Sequence, residues 1–396
     1  MKTPFFLIEE NKLNDNIDDF QSALKNFWPN SQLAYSVKTN SLPWLLKYLK
    51  NRNVFAEVVS DEEFDLAKLC GYSTDSIIYN GPIKGETHFK TAIEGNTIIN
   101  LDSKNDLKFL EKYKCDNPCI GIRVNVLPEI FQEEDIGYEE DGFRFGFADE
   151  TGDFQKVLEQ VYEHCPQVKL GLHLHCNSIT RSTTVYQTIA EYTAGLIKKY
   201  KLNLDFIDIG GGFFGGVEGK PKPIDYIQAI KEKLDGIIDI NRTKLIVEPG
   251  SAIIGSVVDL YTSIVDVKDT KHARIVTTDG SRIHIDPLWK KRKYLYSLNL
   301  DKERSDISKQ IICGYTCMDH DRIMVLENEK ELVPGDEIIY HRVGAYSMTF
   351  GGMFIRYLPD VYVRQNGKVD KVRGEISTEH YFEIQSFTEK ENKDYE

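Results

Sequence analysis

The chain has 396 residues, of which 62 are acidic and 49 basic, giving a net charge of −13 with 41% hydrophobic residues. That balance disfavours a nucleic-acid or membrane-surface binder, and the length allows one large core plus a second domain. No apolar run approaches the roughly 20 residues of a membrane span. The N-terminus meets Glu9 and Glu10 too soon for a signal peptide. Seven cysteines, with no CxxC pair and no histidines at zinc spacing, imply a reduced cytoplasmic protein without a structural metal.

Residues 3–8 form a short apolar run that suits a strand. Asn14 or Asp15 can cap a helix reaching Phe27, with Ile17, Phe20, Leu24 and Phe27 on one face. Eight short apolar runs follow, at 33–38, 54–60, 76–80, 97–102, 119–126, 170–175, 206–212 and 244–250. Helical patterns separate them at 61–70, 84–94, 104–112, 154–164, 184–200 and 223–238. This is the arithmetic of a (β/α)8 TIM barrel, with a doubly wound sheet as the alternative because strand order is invisible in one sequence. After about residue 255 the rhythm changes. Runs rich in β-branched and aromatic residues at 257–267, 274–278, 310–313, 322–326, 336–342 and 354–365 predict an all-β domain. The expected organisation is residues 1–10 as a strand joining the β domain, 11–255 as the barrel and 256–396 as the β domain.

Barrel chemistry sits at the carboxyl ends of strands. Lys38 ends the first run, in Ala-Tyr-Ser-Val-Lys-Thr-Asn. It reads as a solvated strand-end charge or as a Schiff-base lysine for an aldehyde. His175 ends the sixth run and Ser178 opens the loop beyond it; a buried, satisfied histidine is the bland reading. Gly210, Gly211 and Gly212 follow the seventh run. Consecutive glycines let backbone N–H groups approach a phosphate, or make only a tight turn. Glu248 ends the eighth run, before Pro249, Gly250 and Ser251. A partly buried carboxylate needs a partner, and a protonated pyridine nitrogen is one. Together the four ends call for one object with an aldehyde, a ring, a phosphate and a basic ring nitrogen: pyridoxal 5′-phosphate.

With these ends, Cys317 and Asp321, and Val-Gly-Ala-Tyr at 343–346, the chain resembles the fold-type III pyridoxal-phosphate decarboxylases. This is the group of diaminopimelate, ornithine and arginine decarboxylases. The resemblance runs from residue 3 through the Tyr346 region and implies an alanine-racemase-type barrel plus a C-terminal β domain. It implies that Lys38 binds the cofactor covalently and His175 stacks on its ring. Ser178, Gly210, Gly211, Gly212 and Tyr346, with Gly250 and Ser251 beside them, hold the phosphate, and Glu248 pairs with the ring nitrogen. Cys317 returns a proton to Cα, and Asp321 helps position the substrate. It further implies a homodimer whose two active sites each draw Cys317 and Asp321 from the other subunit.

Two positions depart from the family pattern. Ser251 stands where many members carry a phosphate-binding arginine, and Met318 stands where many carry an acid that reads the substrate's distal amine. An unpaired buried ammonium is costly, so Met318 selects against such an amine. The only dense basic run lies at 290–293, where Arg292 suits bidentate carboxylate binding; a solvated loop is the competing reading. The expected substrate is an amino acid, a diamino acid or a conjugate of one, as in siderophore or other specialised biosynthesis. The alternatives are diaminopimelate decarboxylase proper, a racemase, or a non-catalytic paralogue on the same fold.

Overall fold

A computed structural model describes residues 1–113, 115–137, 142–291 and 293–386. The chain divides into two compact units, one of Asn11–Val257 and one of Met1–Glu10 with Val258–Glu396.

The first unit is a closed parallel barrel. Its strands are β1 (Ser31–Ser36), β2 (Phe55–Val58), β3 (Ile77–Tyr79), β4 (Ile98–Leu101), β5 (Cys119–Asn125), β6 (Lys169–His173), β7 (Phe206–Asp208) and β8 (Lys244–Val247). Each pairs with its chain neighbours, β8 returns to β1, and β4 pairs with β5 from Ile98↔Cys119 to Leu101↔Ile122. That closed circuit excludes the doubly wound sheet, which is open at both edges. Helices return the chain between strands and start where the sequence supplies caps. Ser60 accepts Glu63 N–H at 3.2 Å to open Asp61–Leu69. Ser103 and Asp106 form a capping box at the start of Lys104–Lys112.

The strands stop short of the ends of their apolar runs because each run's last residues turn off the barrel. Lys38 lies not in β1 but in a one-turn 3-10 helix, Val37–Thr39, just beyond it. After β8 comes only one helical turn, Ser251–Ile254. The long helix Glu10–Phe27, which precedes β1, is anchored at that place instead. Asn16 Nδ2 donates to Ile253 O at 2.9 Å and Trp28 Nε1 to Thr243 O at 2.8 Å.

The barrel floor is apolar: Ala34, Ile78, Ile98, Phe206 and Ile246 form one buried cluster, with Phe55 and Cys119 packed against it. The Phe206 ring fills the space above Gly171, where an added Cβ would overlap it.

In the second unit, Phe5–Glu9 lies between two longer strands. It pairs antiparallel with Val258–Asp269 and parallel with Asp360–Gln365. Strands Arg274–Thr278, Gln310–Cys313, Arg322–Leu326, Glu337–His341, Leu295–Asn299 and Lys368–Arg373 complete a nine-stranded sheet. The last two had no expectation from sequence. The run at 354–365 is a strand only from Asp360. Ile355 has φ +68°, and Pro359 has no N–H for a ladder. A helix, Thr378–Gln385, follows, capped by Ser377.

Candidate active site

Side chains two apart on a strand share a face. Two residues above the floor, Phe55 is followed by Glu57, Ile78 by Asn80, Ile98 by Asn100, Phe206 by Asp208 and Ile246 by Glu248. Gly121 and Gly171, which pair with each other, are followed in the same way by Arg123 and His173. A buried polar layer therefore lies directly on the apolar plug. Sequence reading singled out only Glu248 from it.

Lys38 Nζ is 2.8 Å from Glu57 Oε2, an ion pair whose carboxylate is buried. Burial alone would raise the Glu57 carboxyl, but the Lys38 charge and hydrogen bond carry it below the ordinary value. Asn80 Nδ2 donates to Glu57 Oε1 at 3.0 Å and to Glu248 Oε1 at 2.8 Å. Asn100 Nδ2 donates to Asn80 Oδ1 at 2.7 Å and to Asp208 Oδ2 at 3.0 Å. Burial, then the Asp208 and Glu57 charges, push the Glu248 carboxyl well above its ordinary value; burial also raises Asp208, to about 6.

His173 Nε2 lies 3.8 Å from Glu248 Oε2, too far for a hydrogen bond, and neither of its ring nitrogens has a hydrogen-bond partner among the described residues. Burial and the nearby Arg123 charge keep it neutral, as they do His175, whose pKa falls to about 3. Arg123 is itself paired with Asp102 at 2.7 Å, and Lys84 with Asp106 at 2.9 Å. Glu57, Asp208 and Glu248 thus gather three buried carboxyl groups, of which Glu57 is paired with Lys38. Burial and their mutual repulsion favour a proton on Glu248.

The glycines shape the rim. Gly210 has φ +68°, and a Cβ there would lie 2.6 Å from His175 Nδ1. Its N–H already donates to Asp208 Oδ1 at 2.9 Å, which leaves the amides of Gly211 and Gly212 for a ligand. Tyr186 Oη donates to Gly211 O at 3.0 Å, and Glu248 N to Gly210 O at 2.7 Å, so this loop and the end of β8 are one piece. Gly250 closes on Thr39, whose buried hydroxyl has no partner among the described residues, and Ser251 opens the short helix after it. Ser178 Oγ accepts Arg181 N–H at 3.0 Å in the loop after β6. Lys38, His175, the glycines and Glu248 therefore come together, as the strand ends implied.

The remaining candidates lie in the second unit. Cys317 is exposed and Met318 half-buried. Asp321 is buried, and its carboxylate is occupied: it accepts from Ser281 Oγ at 2.8 Å, Arg282 N at 3.0 Å and Thr316 Oγ1 at 2.6 Å. It organises the loop that carries Cys317. Tyr346 is half-buried with φ +57°. Arg292 lies outside the described residues. The rest of its basic run borders a groove of about 770 Å³ lined by Lys290, Lys291, Lys293, Arg282 and Trp289. Asp286 holds that loop, accepting from Lys290 N at 3.1 Å, Lys291 N at 2.8 Å and Arg282 Nη2 at 3.0 Å.

Sequence reading missed Glu57, Asn80, Asn100 and Asp208. Each was visible as one polar residue closing or interrupting an apolar run.

A family model described as "Pyridoxal-dependent decarboxylase, pyridoxal binding domain" matches residues 11–255. The diaminopimelate decarboxylase of Aquifex aeolicus is 24% identical over 392 residues, covering 94% of this chain and 89% of that protein. The solved diaminopimelate decarboxylase of M. jannaschii superposes with TM-score 0.84 at 20% identity, over 98% of this chain and 93% of that one. That of Helicobacter pylori, complexed with L-lysine, gives TM-score 0.79 at 22% identity, with 97% of each chain covered.

Proposed function

This chain belongs to the pyridoxal-dependent decarboxylases, and on that premise we propose which residues hold the cofactor and which act on the substrate. It is a pyridoxal-phosphate-dependent carboxy-lyase acting on an amino acid. The residues present fit the cofactor on three counts. The buried carboxyl groups of Glu57, Asp208 and Glu248 are gathered by the Asn80 and Asn100 amides, the glycine loop adds no side chain of its own, and among the described residues the buried His173 nitrogens and Thr39 hydroxyl have no hydrogen-bond partner.

When bound, pyridoxal phosphate supplies an aldehyde that captures the substrate amine and a protonated ring that accepts the electron pair of the breaking Cα–carboxylate bond. The chain's own groups do the rest. Lys38 would hold the aldehyde, with Glu57 as the partner of its ammonium form. Glu248, backed by Asp208, would keep a proton at the ring nitrogen, and His175 would lie against the ring as a neutral imidazole. The amides of Gly211 and Gly212, with Ser178, Gly250 and Ser251, would hold the phosphate, and Tyr346, in the second unit, is a further candidate for that role; Gly210 gives His175 its room. Cys317 Sγ would supply a proton to Cα, and Asp321 would act through the loop it organises. The buried Glu248 carboxyl, grouped with Asp208, carries this reading: it suits a protonated ring nitrogen, whereas a racemase of this fold places arginine there.

The substrate we infer is an amino acid whose distal end is not a lone cationic amine and which bears a carboxylate, such as a conjugated diamino acid. Met318 supports the first property, since it offers an apolar, adaptable wall beside Cys317. The groove bordered by Lys290, Lys291 and Lys293 supports the second. A second reading, diaminopimelate decarboxylase proper, is favoured by the names of the relatives. Carbon dioxide release from free diaminopimelate, ornithine and lysine, compared with citryl- and acyl-conjugated diamino acids, separates them. Higher kcat/KM on a conjugate is expected. Higher kcat/KM on diaminopimelate establishes the second reading, and on ornithine or lysine it removes both.

A further inference from the structure

A primary amide has two N–H donors and one carbonyl acceptor, and Asn80 spends all three inside the barrel. Its donors go to Glu57 Oε1 at 3.0 Å and Glu248 Oε1 at 2.8 Å, and its Oδ1 accepts Asn100 Nδ2 at 2.7 Å. Glu57 is the carboxylate of the Lys38 ion pair, at 2.8 Å. One buried amide thus joins the group at the aldehyde end of the site to the group at the ring-nitrogen end. The pattern also fixes which way the amide points. Turned over, Oδ1 would face two carboxylates and Nδ2 would face the Asn100 N–H, losing every bond. Asn100 prevents that turn, and its second N–H donates to Asp208 Oδ2 at 3.0 Å. Gly121 makes room for it, since a Cβ there would overlap Asn100 Oδ1.

We propose that Asn80 is a positioning residue that clamps Glu57 and Glu248 at a fixed spacing, and that Asn100 locks the clamp. The clamp sets both the affinity for pyridoxal phosphate and the protonation of the bound cofactor. An amide suits this task because it bridges two acceptors without adding charge. An acid there would put a further carboxylate between two others, and an alanine would leave both oxygens short of a donor. The proposal rests on the placement of the cofactor argued above, and the test distinguishes the two.

Asn80→Asp keeps the side chain's shape while removing at least one of the two donors and adding an acid, so it tests the bonds and the local charge and not the packing. Three readouts are compared with wild type. The first is the dissociation constant for pyridoxal phosphate, by fluorescence titration of the cofactor-free protein. The second is the pH midpoint of the bound cofactor's visible absorbance band, and the third is kcat and KM. Loss of a hydrogen bond to a charged group corresponds to roughly tenfold to a hundredfold. The dissociation constant is therefore expected to rise by about tenfold or more. Added negative charge is expected to move the absorbance midpoint to higher pH, and kcat to fall with KM changed much less.

Asn100→Ala leaves both carboxylates and Asn80 in place and is expected to move the same readouts in the same direction. Asn80→Ala/Asn100→Ala is expected to be much less than additive, because Asn100 acts through Asn80. Should Asn80→Asp not fold, as judged by thermal melting of the cofactor-free protein, the cycle of Asn80→Ala, Asn100→Ala and their double variant decides alone. An unchanged dissociation constant and absorbance midpoint in folded Asn80→Asp overturns the proposal, as does full additivity of the two alanine variants. If wild type itself gives no visible band with pyridoxal phosphate, it is the placement of the cofactor that fails.

Discussion

At the scale of single residues, the barrel's chemistry depends on charges counted against one another. Lys38 is ion-paired with Glu57, and Glu57 is joined through Asn80 to Glu248. Lys38→Ala is therefore expected to abolish the visible absorbance of bound pyridoxal phosphate and to cut kcat/KM by about a thousandfold or more. A borohydride-reducible adduct persisting in that variant would assign the aldehyde to another lysine. Asp208 gives a pH prediction for the cofactor-free protein. Its carboxyl lies at about 6, above the ordinary aspartate value, because burial opposes its charge. The native state therefore holds an extra proton between those values. The resulting stability is fully present below the ordinary value and is lost as pH rises through about 6. The loss is on the order of 2 kcal/mol. Thermal melting from about pH 5 to about pH 7 should show wild type losing more stability than Asp208→Asn; equal pH slopes would remove Asp208 from the account. Glu248 was legible in sequence as an acid before Pro-Gly at the end of an apolar strand. Asp208, inside Phe-Ile-Asp-Ile, was equally visible but lacked a partner to give it meaning until β7 and β8 were set side by side.

At the scale of elements, two glycines do work that a sequence pattern does not reveal. Gly171 in β6 leaves the space that the Phe206 ring of β7 fills. Gly171→Ala is expected to lower stability by about 1–3 kcal/mol through overpacking, measured by denaturant unfolding. Phe206→Leu in the same chain should recover part of the loss; no recovery would mean that the alanine acts elsewhere. Gly210→Ala combines a left-handed backbone, φ +68°, with a Cβ pressed against His175. It should weaken pyridoxal phosphate binding more than it lowers the melting temperature of the cofactor-free protein. The triplet of glycines was conspicuous in the sequence as a candidate phosphate cradle. Only the fold shows that the first of them makes room for an imidazole and gives its N–H to Asp208.

At the scale of the whole molecule, Lys38 belongs to the barrel unit and Cys317 to the β unit. We infer a homodimer whose sites each combine the two residues from different subunits. Mixing the inactive Lys38→Ala and Cys317→Ala proteins should then restore about a quarter of wild-type activity. Half of randomly assorted dimers are mixed, and each mixed dimer has one intact site of two. Verified subunit exchange with no recovered activity would exclude sharing. Among the described residues, His173, Asp208 and Glu248 bring one potential metal-binding atom each within 4.8 Å of the others. Exhaustive chelation is expected to leave activity intact, since the ring nitrogen supplies the charge this cluster needs; loss of activity, restored by a divalent cation, would overturn that assignment.

The sequence by itself determined the alternation of eight strands and their helices, the switch to β structure near residue 255, and the four strand ends that carry the cofactor candidates. These are local signals, carried by apolar periodicity and by polar residues where a strand stops. What only the tertiary structure decided is register. Strand order closed the sheet into a barrel, and its pairing brought Glu57, Asn80, Asn100, Asp208 and Glu248 into one hydrogen-bonded network. A strand's own sequence says which residues share a face. How far its neighbour is shifted along it is set by closure of the whole circuit, and that shift determines which buried carboxylate meets which amide.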